Sequence, residues 1–417
     1  MDSLVIRGPN RLEGKVRVSG AKNAVLPLMA ASLLTGGRCK LDNVPDLADT
    51  RTMMKLLGVL GVSSSQDGGV LDIDASSVES FEAPYNLVRT MRASIYTLGP
   101  LLARYGRARV SLPGGCAWGP RPINLHLQGL NALGADIRID HGYIDATADR
   151  LEGAEIILSI PSVGATVNIM LAAVLANGKT VIENAAREPE ISELALALND
   201  AGAVIEGAGA SRIKIEGVNG IAPIERRVIP DRIEAGTFAA AVVISGGEVE
   251  IEGCRPDHMR AVIDKLSACG AEIVESEDVI KVSGPEQLVP VDVETGFYPS
   301  FPTDMQAQMM AVLCRASGAS TIVEHVYPDR FTHVPELCRL GAKIILDGSV
   351  AVVNGVDQLE GAPVMATDIR ASSALILAGL VAAGETKVLR VYHIDRGYEH
   401  IEKKLQSLGA DIERISE

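Results

Sequence analysis

The chain has 417 residues, with 39 Lys and Arg against 53 Asp and Glu, so its formal net charge is 39 − 53 = −14. That length exceeds one ordinary hydrophobic core, which stops growing near ~250–300 residues. The charge argues against general nucleic-acid binding, so any anionic ligand must be met by locally concentrated cations.

In chain order, the opening segment MDSLVIRGPNRLEG reads as strand, turn and loop. It has no basic region followed by an apolar core, so no signal peptide is expected. The longest apolar stretches, around 167–176 and 374–383, stay near 10 residues, whereas a bilayer span needs about 20. No membrane anchor is expected either. Six cysteines, at 39, 116, 254, 269, 314 and 338, lack CxxC spacing. They indicate neither a zinc site nor a disulfide framework, and a reduced cytoplasm fits. Cys39, Cys269, Cys314 and Cys338 read as inert buried thiols.

One unit recurs along the chain. A helix ending in small residues and running into a strand appears as LGVLGV, LNALGADI, LNDAGAVI, LSACGAEI, LCRLGAKI and LQSLGADI. Its glycines are Gly61, Gly134, Gly202, Gly270, Gly341 and Gly409, at intervals of 73, 68, 68, 71 and 68 residues. A second, strongly apolar helix ends near Gly37, Gly106, Gly178, Gly246, Gly318 and Gly384. Solenoid and propeller repeats are usually ~20–50 residues long, so a longer period suggests a duplicated small α/β unit. The apolar helices (AVLPLMAASLL, GATVNIMLAAVLA, ASSALILAGLVAA) are hydrophobic nearly all round and should be buried. The expected fold is α/β, with six repeated units and three per domain around buried helices.

The last repeat stops short at ADIERISE, and SLVIRGPNRLEGKVRVSGAKN has the layout of its missing part. The first domain is therefore expected at 22–229. The second is expected from 1–21 plus 230–417, with a hinge near 20–22 and 229–230. Paired crossings suit a cleft that opens and closes.

Equivalent positions at the starts of the buried helices are Lys22, Arg92, Ser162, Arg232, Asp304 and Arg370. Four are cations, although a helix N-terminus disfavours positive charge. Pairing with local carboxylates such as Asp231 or Asp368 would resolve the conflict at one position. Four equivalent cations point instead to an anion held at helix N-termini. The second repeat also carries extra residues in LPGGCAWGPRPINLH, 112–126. This Gly- and Pro-rich stretch is a candidate mobile lid, with Trp118 as a hydrophobic plug. Cys116 lies there with Arg121 near in sequence, and positive surroundings favour the reactive thiolate.

Several segments together carry a family resemblance. They are AKNA at 21–24, RTMRASI at 89–95, PGGC…RP at 113–122, SVGAT at 162–166, ENAAREPEI at 183–191, FPTDMQAQ at 301–308, ATDIRAS at 366–372 and YHIDRGYEHIE at 392–402. In matching order from end to end, they resemble the UDP-N-acetylglucosamine 1-carboxyvinyltransferase family of enolpyruvyl transferases. The resemblance implies a two-domain inside-out α/β barrel. It also implies transfer of the enolpyruvyl group of phosphoenolpyruvate to the 3′-hydroxyl of UDP-N-acetylglucosamine by addition and elimination, with release of phosphate. In the family this is the first committed step of peptidoglycan synthesis in the bacterial cytoplasm.

Residue roles follow from the same resemblance. Lys22 and Asn23 match the phosphoenolpyruvate-binding pair, and Arg121, Arg370 and Arg396 would hold the phosphate and carboxylate. Cys116 matches the proton donor, which can also carry a phosphoenolpyruvate thioketal and which the epoxide fosfomycin alkylates. Asp304 matches the carboxylate beside the sugar hydroxyl, a general base. Contacts to the nucleotide sugar fall on Arg92, Arg121, Pro122, Ile123, Asn124, Leu125, Ser162, Val163, Gly164, Asp304 and Val326. Arg330 and Glu188 are further polar candidates. The partners are thus two small molecules, with no nucleic acid, membrane, metal or cofactor, and the oligomeric state stays open. Trp118 stands where an aliphatic residue is usual in the family, and Asn124 replaces a common Asp with an amide that can both accept and donate hydrogen bonds.

Three other readings share some of these features. 5-Enolpyruvylshikimate-3-phosphate synthase is similar in fold and chemistry, but it lacks the PGGC lid and its GNAGT segment is not found here. A ring-shaped DNA clamp would need basic inner helices, and these are apolar. A weakly active regulatory paralogue stays open.

Overall fold

A computed structural model of the chain describes residues 2–112 and 123–416. These divide into two compact units, one running up to Ser19 and resuming at Pro230, the other running from Gly20 to Ile229. Each unit has its own apolar core, in which its three buried helices lie beneath the sheets.

The glycine marker has a backbone cause. Gly61, Gly134, Gly202, Gly270, Gly341 and Gly409 all have φ between 91° and 103°. Each ends an outer helix in a region of φ that side chains disfavour, so the chain can reverse into a strand there.

Six four-stranded sheets share one plan. In one, Glu155–Ile157 runs parallel to Lys179–Glu183, which pairs antiparallel with Arg212–Glu216, and that with Val204–Glu206. A buried helix connects the two parallel strands, as parallel pairing requires. Three sheets depart from chain order. Leu12–Arg17 pairs with Gly247–Glu252, and Glu225–Arg227 pairs with Arg38–Asp42. Each of these strands supplies the parallel partner that its sheet lacks locally. Ser3–Gly8 also fills the sheet of the truncated last repeat, between Gly384–Leu389 and Ile412–Ile415.

The six buried helices are α1 (Lys22–Ala31), α2 (Leu98–Tyr105), α3 (Val163–Ala173), α4 (Arg232–Ser245), α5 (Gln306–Leu313) and α6 (Ile369–Val381). Every residue from Ile233 to Ile244 and from Arg370 to Val381 is buried. Small residues allow close helix packing. A Cβ added at Gly236 in α4 would come within 3.1 Å of Met305, just before α5. Among the described residues, no helix is long and apolar enough to cross a membrane.

The cysteines divide differently from the sequence expectation. Cys39, Cys254, Cys269 and Cys314 are buried, and burial pushes the Cys269 and Cys314 thiols up to about 12. Cys338 is exposed, which corrects its reading as a buried thiol. Its helix, Val334–Arg339, buries Val334 and Leu337, so the next position faces outward.

Candidate active site

Each unit gathers the starts of its own buried helices. In the unit containing α4, α5 and α6, Asp304 sits in the 3₁₀ turn Thr303–Met305 that leads into α5. Arg370 is the second residue of α6. Arg370 donates to Asp304 Oδ2 at 2.8 Å, and Arg330 donates to Oδ1 at 2.8 Å. The Asp304 side chain is 29% exposed, against 8% for Arg370 and 5% for Arg330. Burial works to raise the Asp304 pKa, but the charges and hydrogen bonds of Arg370 and Arg330 hold the carboxyl well below its ordinary range.

Behind Arg370 lies a buried polar knot. Its other terminal nitrogen donates to Tyr398 Oη at 3.2 Å. Thr237 of α4 lies 2.8 Å from the same oxygen, and Gln308 of α5 donates to it at 3.3 Å. Thr237 Oγ1 spends its proton on the carbonyl of Ile233. Tyr398 therefore donates to Thr237 and accepts from Arg370 and Gln308. The knot ties three helices together and fixes the Arg370 fork. Arg396 is half-buried at the end of the 3₁₀ turn Val391–Arg396, which packs on α6. Val326 is half-buried in the turn after strand Ala319–Val323.

In the other unit, Lys22 opens α1, and its Nζ lies 2.9 Å from the buried carboxylate of Asp49. Asn23 follows and is half-buried. Pro27 within the helix has no N–H to give the Asn23 carbonyl, so that helical bond is missing. Arg92 opens the 3₁₀ turn Arg92–Thr97 before α2. Ser162 caps α3, accepting from the Ala165 N–H at 3.3 Å.

Ile123 is half-buried, Asn124 is exposed at the start of helix Asn124–Ala132, and Leu125 is buried. Val163 and Gly164 are half-buried in the first turn of α3, which packs on the same helix with Gly164 against His126. A Cβ at Gly164 would come 3.0 Å from that ring. Asn168 sets the ring's tautomer. Its oxygen accepts from the Gly99 N–H at 2.8 Å, so its nitrogen is the donor to Ile95 O and to His126 Nδ1 at 3.0 Å. His126 thus carries its proton on Nε2. Burial, aided by Arg92, lowers the His126 pKa to about 3 and keeps the ring neutral.

The geometry sharpens the reading of the six helix starts. All six candidates do lie there, but the cations are not all awaiting an anion. Asp231 and Asp368 cap α4 and α6 by accepting from backbone N–H groups, and Lys22 and Arg370 have carboxylate partners. Local carboxylates therefore offset part of the helix-terminus conflict. Glu188 precedes helix Pro189–Asp200, and its carboxylate accepts from the Arg187 N–H. Cys116, Trp118, Arg121 and Pro122 lie outside the described residues. Among the described residues, no cluster of three or more His, Cys, Asp or Glu side chains has the arrangement to hold a metal ion. Asp49 and Tyr398 were not singled out in the sequence. Nothing in its periodicity distinguishes them from ordinary helix and loop residues.

Known proteins place this arrangement. The profile of the family described as EPSP synthase (3-phosphoshikimate 1-carboxyvinyltransferase) matches residues 6–405. The enolpyruvyl transferase NikO from Streptomyces tendae superposes with a TM-score of 0.90 at 28% identity, covering 100% of this chain and 99% of its own. EPSP synthase from Acinetobacter baumannii superposes at 0.78 with 17% identity and full coverage of both chains, a likeness of fold alone. The class is thus the enolpyruvyl transferases.

Proteins named UDP-N-acetylglucosamine 1-carboxyvinyltransferase match still more fully. The one from Geobacter metallireducens is 54% identical over 100% of both chains. That from Myxococcus xanthus is 53% identical over 99% of both. This chain belongs to the UDP-N-acetylglucosamine 1-carboxyvinyltransferase family.

Proposed function

We propose that this chain transfers the enolpyruvyl group of phosphoenolpyruvate to the 3′-hydroxyl of UDP-N-acetylglucosamine, releasing phosphate in peptidoglycan synthesis in the cytoplasm. The observation that carries the reading is full-length identity of more than half with a relative of that name. The local chemistry agrees, since a partly exposed carboxylate at one helix start lies between two buried guanidinium groups, Arg370 at the next helix start and Arg330 in a turn.

In the addition step, the sugar O3′ bonds to C2 of phosphoenolpyruvate, C3 takes a proton, and the hydroxyl proton passes to a base. Asp304 takes the hydroxyl proton, and Cys116 supplies the one for C3. The tetrahedral adduct then gives a C3 proton back to the thiolate left at Cys116 and expels phosphate, restoring the double bond. Lys22, Asn23, Arg121, Arg370 and Arg396 hold the anion and stabilise charge as it moves to the leaving phosphate. Arg92, residues 121–125, Ser162–Gly164 and Val326 hold the nucleotide sugar.

Asp304 in its double ion pair is a weak base. An incoming carboxylate or phosphate that draws Arg370 to itself relieves part of that pairing and raises the basicity of Asp304 when substrate is present. The test is phosphate release from phosphoenolpyruvate, with and without UDP-N-acetylglucosamine and with shikimate 3-phosphate as competing acceptor. Release that depends on the nucleotide sugar is expected. Release with shikimate 3-phosphate alone moves the chain to the sister activity, and no release with either leaves a regulatory paralogue.

A further inference from the structure

Glu324 lies just beyond strand Ala319–Val323, is 1% exposed, and has no role in the scheme above. Four donors converge on its carboxylate. Oε1 accepts from Thr295 Oγ1 at 2.8 Å and from the N–H groups of Val326 at 2.9 Å and Tyr327 at 3.0 Å. Oε2 accepts from Thr303 Oγ1 at 2.9 Å. All four contacts are donations to the carboxylate, three at Oε1 and one at Oε2, which leaves neither oxygen without a partner.

Each donor leads somewhere useful. Thr303 immediately precedes Asp304, and its oxygen accepts from Arg330 at 2.9 Å while its proton is committed to Glu324. Arg330 uses its other terminal nitrogen on Asp304. The Val326 and Tyr327 amides belong to the turn that carries Arg330, whose N–H bonds to the Tyr327 carbonyl at 2.9 Å. Thr295 also accepts from the His325 N–H at 3.0 Å, closing the turn from outside. Glu324 thus orients the Arg330–Asp304 pair from both ends, through Thr303 on one side and through the turn on the other.

We propose that Glu324 is a positioning residue for Asp304, and that the same carboxylate shapes the Val326 turn on which the acceptor sugar rests. The inference rests on the enolpyruvyl-transfer reading above. A glutamine cannot substitute fully. Its single oxygen would meet the three-donor side, and its NH2 would face Thr303, turning that hydroxyl away from its present bond. Thr303 Oγ1, with two lone pairs, must then accept from both the glutamine and Arg330 and send its proton elsewhere, so the acceptor that orients Arg330 is no longer held in place. The charged and titratable groups around Asp304 are Arg330 and Arg370, with Tyr398 and Asp231 beyond Arg370 and His333 beyond Arg330. Loosening Arg330 removes one of the two cations that favour the ionised Asp304, so its pKa rises.

The experiment compares wild type, E324Q, T303V and T303S. It measures kcat, KM for each substrate, the acid limb of kcat, and the Asp304 carboxyl titration by NMR. E324Q should lower kcat roughly 10–100-fold, as misplaced catalytic groups do. It should raise KM for UDP-N-acetylglucosamine more than KM for phosphoenolpyruvate and move the acid limb upward. T303V should reproduce the kcat and acid-limb changes, and T303S should restore them. If E324Q does not fold, the T303V and T303S pair decides.

Folded variants with wild-type kcat and an unmoved Asp304 titration overturn the proposal. So does a loss of activity that only tracks the fraction of folded protein. If wild type transfers to neither acceptor, the functional reading fails, while the Asp304 titration in E324Q still decides the positioning role.

Discussion

Asp304 and Arg370 stand at the starts of neighbouring helices, with the guanidinium 2.8 Å from the carboxylate. The pair ties the proposed base to a residue proposed to bind the anionic substrate. Saturating phosphoenolpyruvate should therefore raise the Asp304 pKa, read from its carboxyl signal by NMR. A titration that stays where it is in the unliganded protein would sink the idea that substrate releases the base.

The same pair makes a pH-dependent contribution to stability. The folded pKa of Asp304 is depressed, so its contribution is present above the unfolded value of ~3.9 and is lost as pH falls through the lower folded value. Denaturation of D304N and wild type should show a constant gap between about pH 5 and 7, closing only below ~4. A gap that closes near neutrality would assign it to another group.

Tyr398 supports Arg370 from behind. Y398F removes an acceptor from Arg370 and from Gln308, so it should cost about 1–3 kcal/mol by denaturant unfolding. It should also raise KM for phosphoenolpyruvate by several-fold, because the guanidinium fork is less well held. Unchanged KM with reduced stability would confine Tyr398 to a packing role.

Asp49 performs a comparable task for Lys22. With only 14% of the Lys22 side chain and 4% of the Asp49 side chain exposed, D49A leaves a mostly buried ammonium without its carboxylate. A loss of about 2–4 kcal/mol is expected from breaking such a pair. The double variant K22M/D49A should recover part of it, since replacing both charges removes the desolvation cost. Additive losses in the double variant would show that the pair is not coupled.

Cys116 offers a chemical test. C116S should resist covalent labelling by fosfomycin, which mass spectrometry reads directly. Continued labelling of C116S would refute the assignment of the thiol.

Much of the frame was legible because backbone geometry constrained the residues. The six marker glycines stand out since φ near 91–103° requires glycine, and the buried helices stand out since burial on all sides requires apolar residues throughout. Counting along those repeats was enough to put Lys22, Arg92, Ser162, Arg232, Asp304 and Arg370 at helix starts. Cys338 was misread because one turn of helix phase separates a buried thiol from an exposed one, and the short run Val334–Arg339 carries little periodic signal.

By itself, the amino-acid order determined the repeated unit, the burial of its helices and the places where charge would gather. These depend on local φ preferences and on hydrophobicity summed over whole helices, which neighbouring residues in the chain carry. Only the tertiary structure decided which carboxylate meets which cation. Asp304 reaches Arg370 across 66 residues of chain, and Glu324 reaches Thr295 across 29. A bond of 2.8 Å depends on how separate repeats pack, and no local preference encodes a distance between side chains so far apart in the chain.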